Sequence, residues 1–169
     1  MSGKEQEAPY RSAATPSTIA TSSTMSREVV VDANVIVAWL DNADALAPRA
    51  RELMERLRTD GAEIVLVDIA VAEAVSVVCR RAAQRRTSPP DLSRVLETIS
   101  VWAERGAIRW LAREHERLLP QVLETVASTS GRLNFNDALL VVLQREGTIG
   151  EVASFDSGFD AIPTFTRLA

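Results

Sequence analysis

Two kinds of hydrophobic block alternate along the chain. Short apolar runs at 29–31 and 64–67 have no polar interruption, the mark of a strand buried on both faces, and shorter strand candidates follow at 107–111 and 152–155, broken only by Arg109 and Ser154. Between them, apolar residues recur every three or four positions. Ala50, Leu53, Met54 and Leu57 place an amphipathic helix over 47–58, closed by Asp60-Gly61. The stretch 69–86, free of Gly and Pro, predicts a helix leaving the second strand. Asp91 is placed to cap a helix over 92–105 that ends at Gly106, and further helices are expected over 114–128, through Pro120, and over 134–146, before Gly147. Residues 165–168 read as a last edge strand. Strands alternating with helices imply right-handed crossovers: an α/β domain of three layers, its central, mostly parallel sheet of four to five strands flanked by helices.

The first run, Val29 to Leu40, is the most informative. It reads as a buried strand, and its single charge is Asp32. An ionised carboxylate at the end of such a strand is costly unless a cation or several donors compensate it. Glu73, Asp137 and Asp156 lie in equally apolar surroundings. Asp32 and Asp156 follow apolar strands, at the rim where open parallel sheets bind ligands. Glu73 faces inward among Ile69, Ala70 and Val77, and Asp137 shares a helix face with Leu133, Leu140 and Val141. Each acid also has an ordinary local role open to it. Asp32 could cap a following helix, Glu73 could pair with a buried arginine, Asp137 suits a first helical turn, and Asp156-Ser157-Gly158 suits a turn. Taken together, four such acids make sense around one divalent metal ion.

Composition narrows the rest. At 169 residues and 46% apolar, the chain has enough material for one substantial domain, expected over 27–169. Residues 1–26 differ: ten are Ser or Thr, and there is no apolar core of a signal peptide. They read as a disordered extension, or as an upstream start with Met25 the true first residue. No membrane span is expected, and the single cysteine, Cys79, excludes an internal disulfide framework and fits the cytoplasm. The only histidine, His115, sits in a charged stretch that reads as a solvated helix start. Catalytic triads and multi-histidine zinc sites are thereby disfavoured, and carboxylates are left to carry any chemistry.

The net charge of −4 does not by itself point to nucleic acid, though four metal-bound acids would account for that excess. The basic run Arg80, Arg81, Arg85 and Arg86, on the helix that carries Glu73, is a weak candidate for gripping phosphates, its alternative being a solvated helix end. Arg49, Arg51, Arg56 and Arg58 form a weaker one.

In order along the chain, Val29-Val30-Val31-Asp32-Ala33-Asn34, Asp68-Ile69 with Glu73, Asn136-Asp137-Ala138-Leu139, and Ser154-Phe155-Asp156 with Phe159-Asp160 together resemble the PIN-domain ribonucleases, above all the VapC-type toxins of bacterial toxin–antitoxin pairs. The resemblance runs from Val29 to the end of the chain. It implies a PIN-like fold with Asp32, Glu73, Asp137 and Asp156 as catalytic metal ligands, supported by Asn34, Ser154 and Asp160. Asp156, which directly follows its strand, ranks ahead of Asp160. Ser76 departs from the pattern, standing where relatives often carry asparagine.

Hard oxygen ligands select Mg²⁺, or Mn²⁺, and without a histidine to act as base, water activated by the ion is the expected nucleophile. The resemblance further implies RNA as substrate, cleavage leaving a 5′-phosphate, a cognate antitoxin that blocks the acidic cleft, and a homodimer. Trp39, Trp102 and Trp110 could contribute to a dimer surface, though each is more simply a core residue. The alternatives are a catalytically silent PIN-like interaction module and a DNA-directed nuclease of the same fold. A phosphoacceptor receiver domain is disfavoured because the only lysine is Lys4.

Overall fold

The computed structural model describes residues 27–169, so the two readings of residues 1–26 fall outside it. Five strands, β1 (Glu28–Val31), β2 (Glu63–Val67), β3 (Ile108–Arg109), β4 (Glu151–Ala153) and β5 (Arg167–Leu168), form a wholly parallel sheet in the order β3-β2-β1-β4-β5. β1 is central, and its Val29, Val30 and Val31 are buried, as an apolar run without alternation requires. The chain winds outward from β1 through β2 to β3, then crosses back to β4 on the other side of β1. With right-handed crossovers, this reversal puts the two sets of helices on opposite faces. It also opens a crevice at the carboxyl ends of β1 and β4.

The helices are α1 (Ala33–Leu40), α2 (Ala47–Thr59), α3 (Asp68–Gln84), α4 (Leu92–Glu104), α5 (Ala112–Ser128) and α6 (Phe135–Arg145), with a 3-10 turn at Ser157–Ala161. α1 packs on α2 and α3, α3 on α4, and α5 on α6. The expected strand through Val29–Leu40 is corrected here: β1 stops at Val31 and α1 begins at Ala33. The reason is burial. Ala33, Val35, Ile36, Val37 and Ala38 are all buried, so α1 is apolar nearly all round and shows no helical period.

The stop signals act as expected. Asp91 accepts the Arg94 amide at the start of α4, while Gly61 and Gly106 take left-handed conformations after α2 and α4. Pro120 lies inside α5, at an exposed position. β3 is shorter than expected and leaves Trp110 72% exposed, whereas Trp39 and Trp102 stack together between α1 and α4. His115 is not solvated but half-buried, edge-on to Phe135. At Gly150 the backbone comes so close to the Glu28 carbonyl that a Cβ would stand 2.3 Å from its oxygen, which fixes the entry of β4 beside β1.

Candidate active site

Asp32 is the residue between β1 and α1. Its amide donates to the Ala153 carbonyl at 3.0 Å, extending the β1–β4 ladder to the edge of the crevice. Its Oδ1 caps α1 by accepting the Ala33 N–H at 2.6 Å. Its Oδ2 accepts from Ser154 Oγ at 2.6 Å and Asn34 Nδ2 at 2.7 Å. Ser154, at the end of β4, is wholly buried, and its hydroxyl also accepts from Asn34 Nδ2 and from the Asp156 amide, each at 3.0 Å. Asn34 Oδ1 takes the Phe155 amide at 3.0 Å. Both hydrogens of the Asn34 amide and the Ser154 hydroxyl hydrogen are thus placed, and the ends of β1 and β4 are tied by side chains as well as by the ladder.

Asp137 lies on the first turn of α6. It forms a reciprocal capping box with Asn134: each side chain accepts the other's amide at 3.0 Å. Glu73, one turn into α3, accepts from Asn136 Nδ2 at 2.7 Å, which ties α3 to α6. Asp156 Oδ1 holds the Gly158 amide at 2.7 Å and starts the 3-10 turn.

The acids feel one another. Burial pushes Asp32 up to about 6; hydrogen bonds from Ser154 and Ala33 oppose this, while the charges of Asp137 and Glu73 reinforce it. Asp137 is likewise raised, first by burial and then by the charges of Asp156 and Glu73, against the pull of the Asn134 amide. Asp137 is therefore the hub to which the other three acids couple. None of the four is ion-paired among the described residues. Nor, as placed, does any group of three His, Cys, Asp or Glu side chains among those residues stand close enough to hold a metal ion.

The remaining candidates divide. Asp160 is held in a two-pronged pair by Arg167, at 2.8 Å on each prong. Arg81 and Arg85 are engaged by Asp41 and Asp44 at the α1–α2 connection. Arg80 and Arg86 are exposed. Ser76 bonds back to the Ala72 carbonyl at 2.8 Å and takes no part in the site, where Asn136 supplies an amide to Glu73 instead. That contribution of Asn136 spans 63 residues of sequence, so no local pattern announces it.

The sequence model of the PIN domain family matches residues 29–164. The chain belongs to the PIN domain family. Solved structures agree on the fold. VapC20 of Mycobacterium tuberculosis, described as a toxin that cleaves the sarcin–ricin loop, superimposes with a TM-score of 0.60 at 17% identity, covering 83% of this chain and 98% of its own. The VapBC2 complex of Rickettsia felis bound to a fragment of its promoter gives 0.58 at 12% identity, covering 83% and 97%. FitAcB of Neisseria gonorrhoeae gives 0.55 at 15% identity, covering 83% and 96%. No curated protein matches this PIN domain significantly by sequence. PIN domains form a nuclease family, and in this one Asp32 and Asp156 follow β1 and β4, the strands on either side of the sheet's switch point. No helix among the described residues is long and apolar enough to cross a membrane.

Proposed function

We propose that this PIN domain is a metal-dependent endoribonuclease and the toxin of a toxin–antitoxin pair. One observation carries the reading: four carboxylates linked through Asp137 have amides and a hydroxyl as partners rather than a cation, and burial together with the neighbouring acidic charges raises the proton affinity of Asp32 and Asp137. Such an arrangement is unfavourable for the empty protein at neutral pH and favourable once a cation is bound. The donors are hard oxygens, which fits Mg²⁺, with Mn²⁺ as substitute. Asp32, Glu73, Asp137 and Asp156 would hold the ion. Bound there, it supplies water of lowered pKa and positive charge for the departing oxygen of a phosphodiester.

The chain's own residues do the positioning. Ser154 and Asn34 fix Asp32 Oδ2, Asn136 fixes Glu73, and the Asn134 capping box fixes Asp137. VapBC2 and FitAcB, among the structural neighbours, support an antitoxin as partner; we propose that it covers this crevice and that the pair acts in the cytoplasm. A homodimer is proposed on the same likeness.

The test is cleavage of single-stranded RNA by purified protein with and without Mg²⁺, beside Asp137→Asn. Cleavage that requires the metal and disappears in the variant is expected. An unchanged rate in Asp137→Asn sinks the assignment. Metal binding without cleavage of RNA would favour the silent interaction module, and cleavage of DNA alone the DNA-directed enzyme.

A further inference from the structure

An acidic crevice repels the nucleic-acid backbone, so a strand entering it needs a cation held at the rim. Most arginines bordering the site are already engaged. Arg167 binds Asp160 and the Ser154 carbonyl, Arg56 the Ala169 carbonyl, and Arg81 and Arg85 the carboxylates of Asp41 and Asp44. Arg49, in the first turn of α2, differs. Its guanidinium carbon lies 4.8 Å from the centre of the Phe155 ring, and no hydrogen bond or ion pair engages it among the described residues. A guanidinium stacked on an aromatic face is fixed in orientation while its N–H edges stay free for oxygen acceptors.

The platform beneath it belongs to the site. Phe155 stands between Ser154, which donates to Asp32, and Asp156, and its amide is held by Asn34 at 3.0 Å. Beside Arg49 a cavity of about 220 Å³ opens, lined also by Glu52, Leu53, Arg56 and Ala169. We infer that Arg49, stacked on Phe155, is a substrate-positioning residue that binds a backbone phosphate of the RNA strand next to the acid cluster. The inference rests on the nuclease reading above.

The test compares wild type, Arg49→Gln and Arg49→Lys, each also in the Asp137→Asn background. Binding of a fluorescein-labelled single-stranded oligoribonucleotide is followed by anisotropy over a salt series, and cleavage is followed with Mg²⁺. Arg49→Gln is expected to weaken binding about tenfold and to flatten the slope of log K against log salt by about 0.7, one phosphate contact on a single strand. KM should rise with kcat nearly unchanged, Arg49→Lys should recover most of the loss, and the melting temperature should hold. An unchanged slope and KM overturn the inference, as does a fall in kcat that tracks a lowered melting temperature. Wild type that binds no RNA overturns it as well. Wild type that binds RNA without cleaving it, with the slope still reduced in Arg49→Gln, sinks the nuclease reading and leaves Arg49 its phosphate. Full cleavage with an unchanged KM in Arg49→Gln does the reverse.

Discussion

Two groups of acids stand at the two ends of α1, one around Asp32 at its start and one around Asp41 at its end, and a cavity of about 160 Å³ is lined by Glu73 of the first and Asp44 of the second. In the first, Asp32 is 6% exposed; in the second, Asp41 has a side chain 1% exposed. Residue type and burial are therefore alike, and the neighbours are opposite. Asp41 takes Arg81 at 2.9 Å and Arg85 at 2.8 Å, and Arg81 reaches Asp44 as well. Asp32, Glu73, Asp137 and Asp156 meet only neutral donors and each other. The chain supplies its own cations to one cluster and none to the other. The arginine-paired cluster joins α3 to the α1–α2 connection, which is a structural task. The unpaired cluster caps α1 and α6 through neutral donors but gains no charge partner, which suits a site.

Breaking each cluster should separate those roles. The largest effect is expected from Asp137→Asn, which removes the hub of the unpaired cluster: RNA cleavage should fall by on the order of 10³-fold. A thermal melt should show the fold retained, because the asparagine oxygen can still accept the Asn134 amide. In the other cluster, Arg81→Met should cost about 4 kcal/mol of stability, since Asp44 would lose its arginine and Asp41 would keep Arg85 alone. Urea unfolding measures this, and activity per folded molecule should change little. Loss of activity with no loss of stability would reverse the division proposed here.

The acids also predict opposite responses to pH and metal. Because the folded-state value for Asp32, about 6, lies above its ordinary 3.8, the folded protein binds the proton more tightly than the unfolded chain does. Stability from this group is therefore fully present below about pH 4 and is lost as pH rises through 6. The difference amounts to about 3 kcal/mol for a shift of that size. Subtracting the stability profile of Asp32→Asn from that of wild type isolates it from other titrating groups. The difference should decline between pH 4 and 7 without metal and flatten in millimolar Mg²⁺. A flat difference in both conditions would mean that Asp32 carries no such strain.

Much of this arrangement is legible in the sequence, for reasons that differ by element. β1 and β2 show as unbroken apolar runs and α2 as a clear three-four stripe, because burial on two faces or on one leaves those periods. α1 leaves none, being buried all round. The four acids are visible as charges in apolar settings, and the structure shows that local and shared roles coexist on a single carboxylate. Asp32 caps α1 with Oδ1 while Oδ2 faces Ser154 and Asn34, and Asp137 closes a capping box while its charge reaches Asp32 and Asp156. A local role is thus no argument against a shared one. The Glu73–Asn136 bond and the Arg49–Phe155 stack join residues far apart in sequence, and no periodicity encodes such contacts.

The smallest predicted effect refines the comparison within α3 and the residues just beyond it. Arg80, Arg81, Arg85 and Arg86 look equivalent in sequence, yet Arg81 and Arg85 turn inward to Asp41 while Arg80 and Arg86 remain exposed. Only the outward pair is free to meet a polyanion, and without an aromatic platform each should contribute less than Arg49. Arg80→Gln and Arg86→Gln should each weaken RNA binding about twofold, through screening-sensitive attraction that disappears at high salt. Stability should change by less than about 0.5 kcal/mol in either variant. If either change lowers stability by as much as Arg81→Met does, the outward pair also serves the fold, and the boundary between the two clusters lies elsewhere on α3.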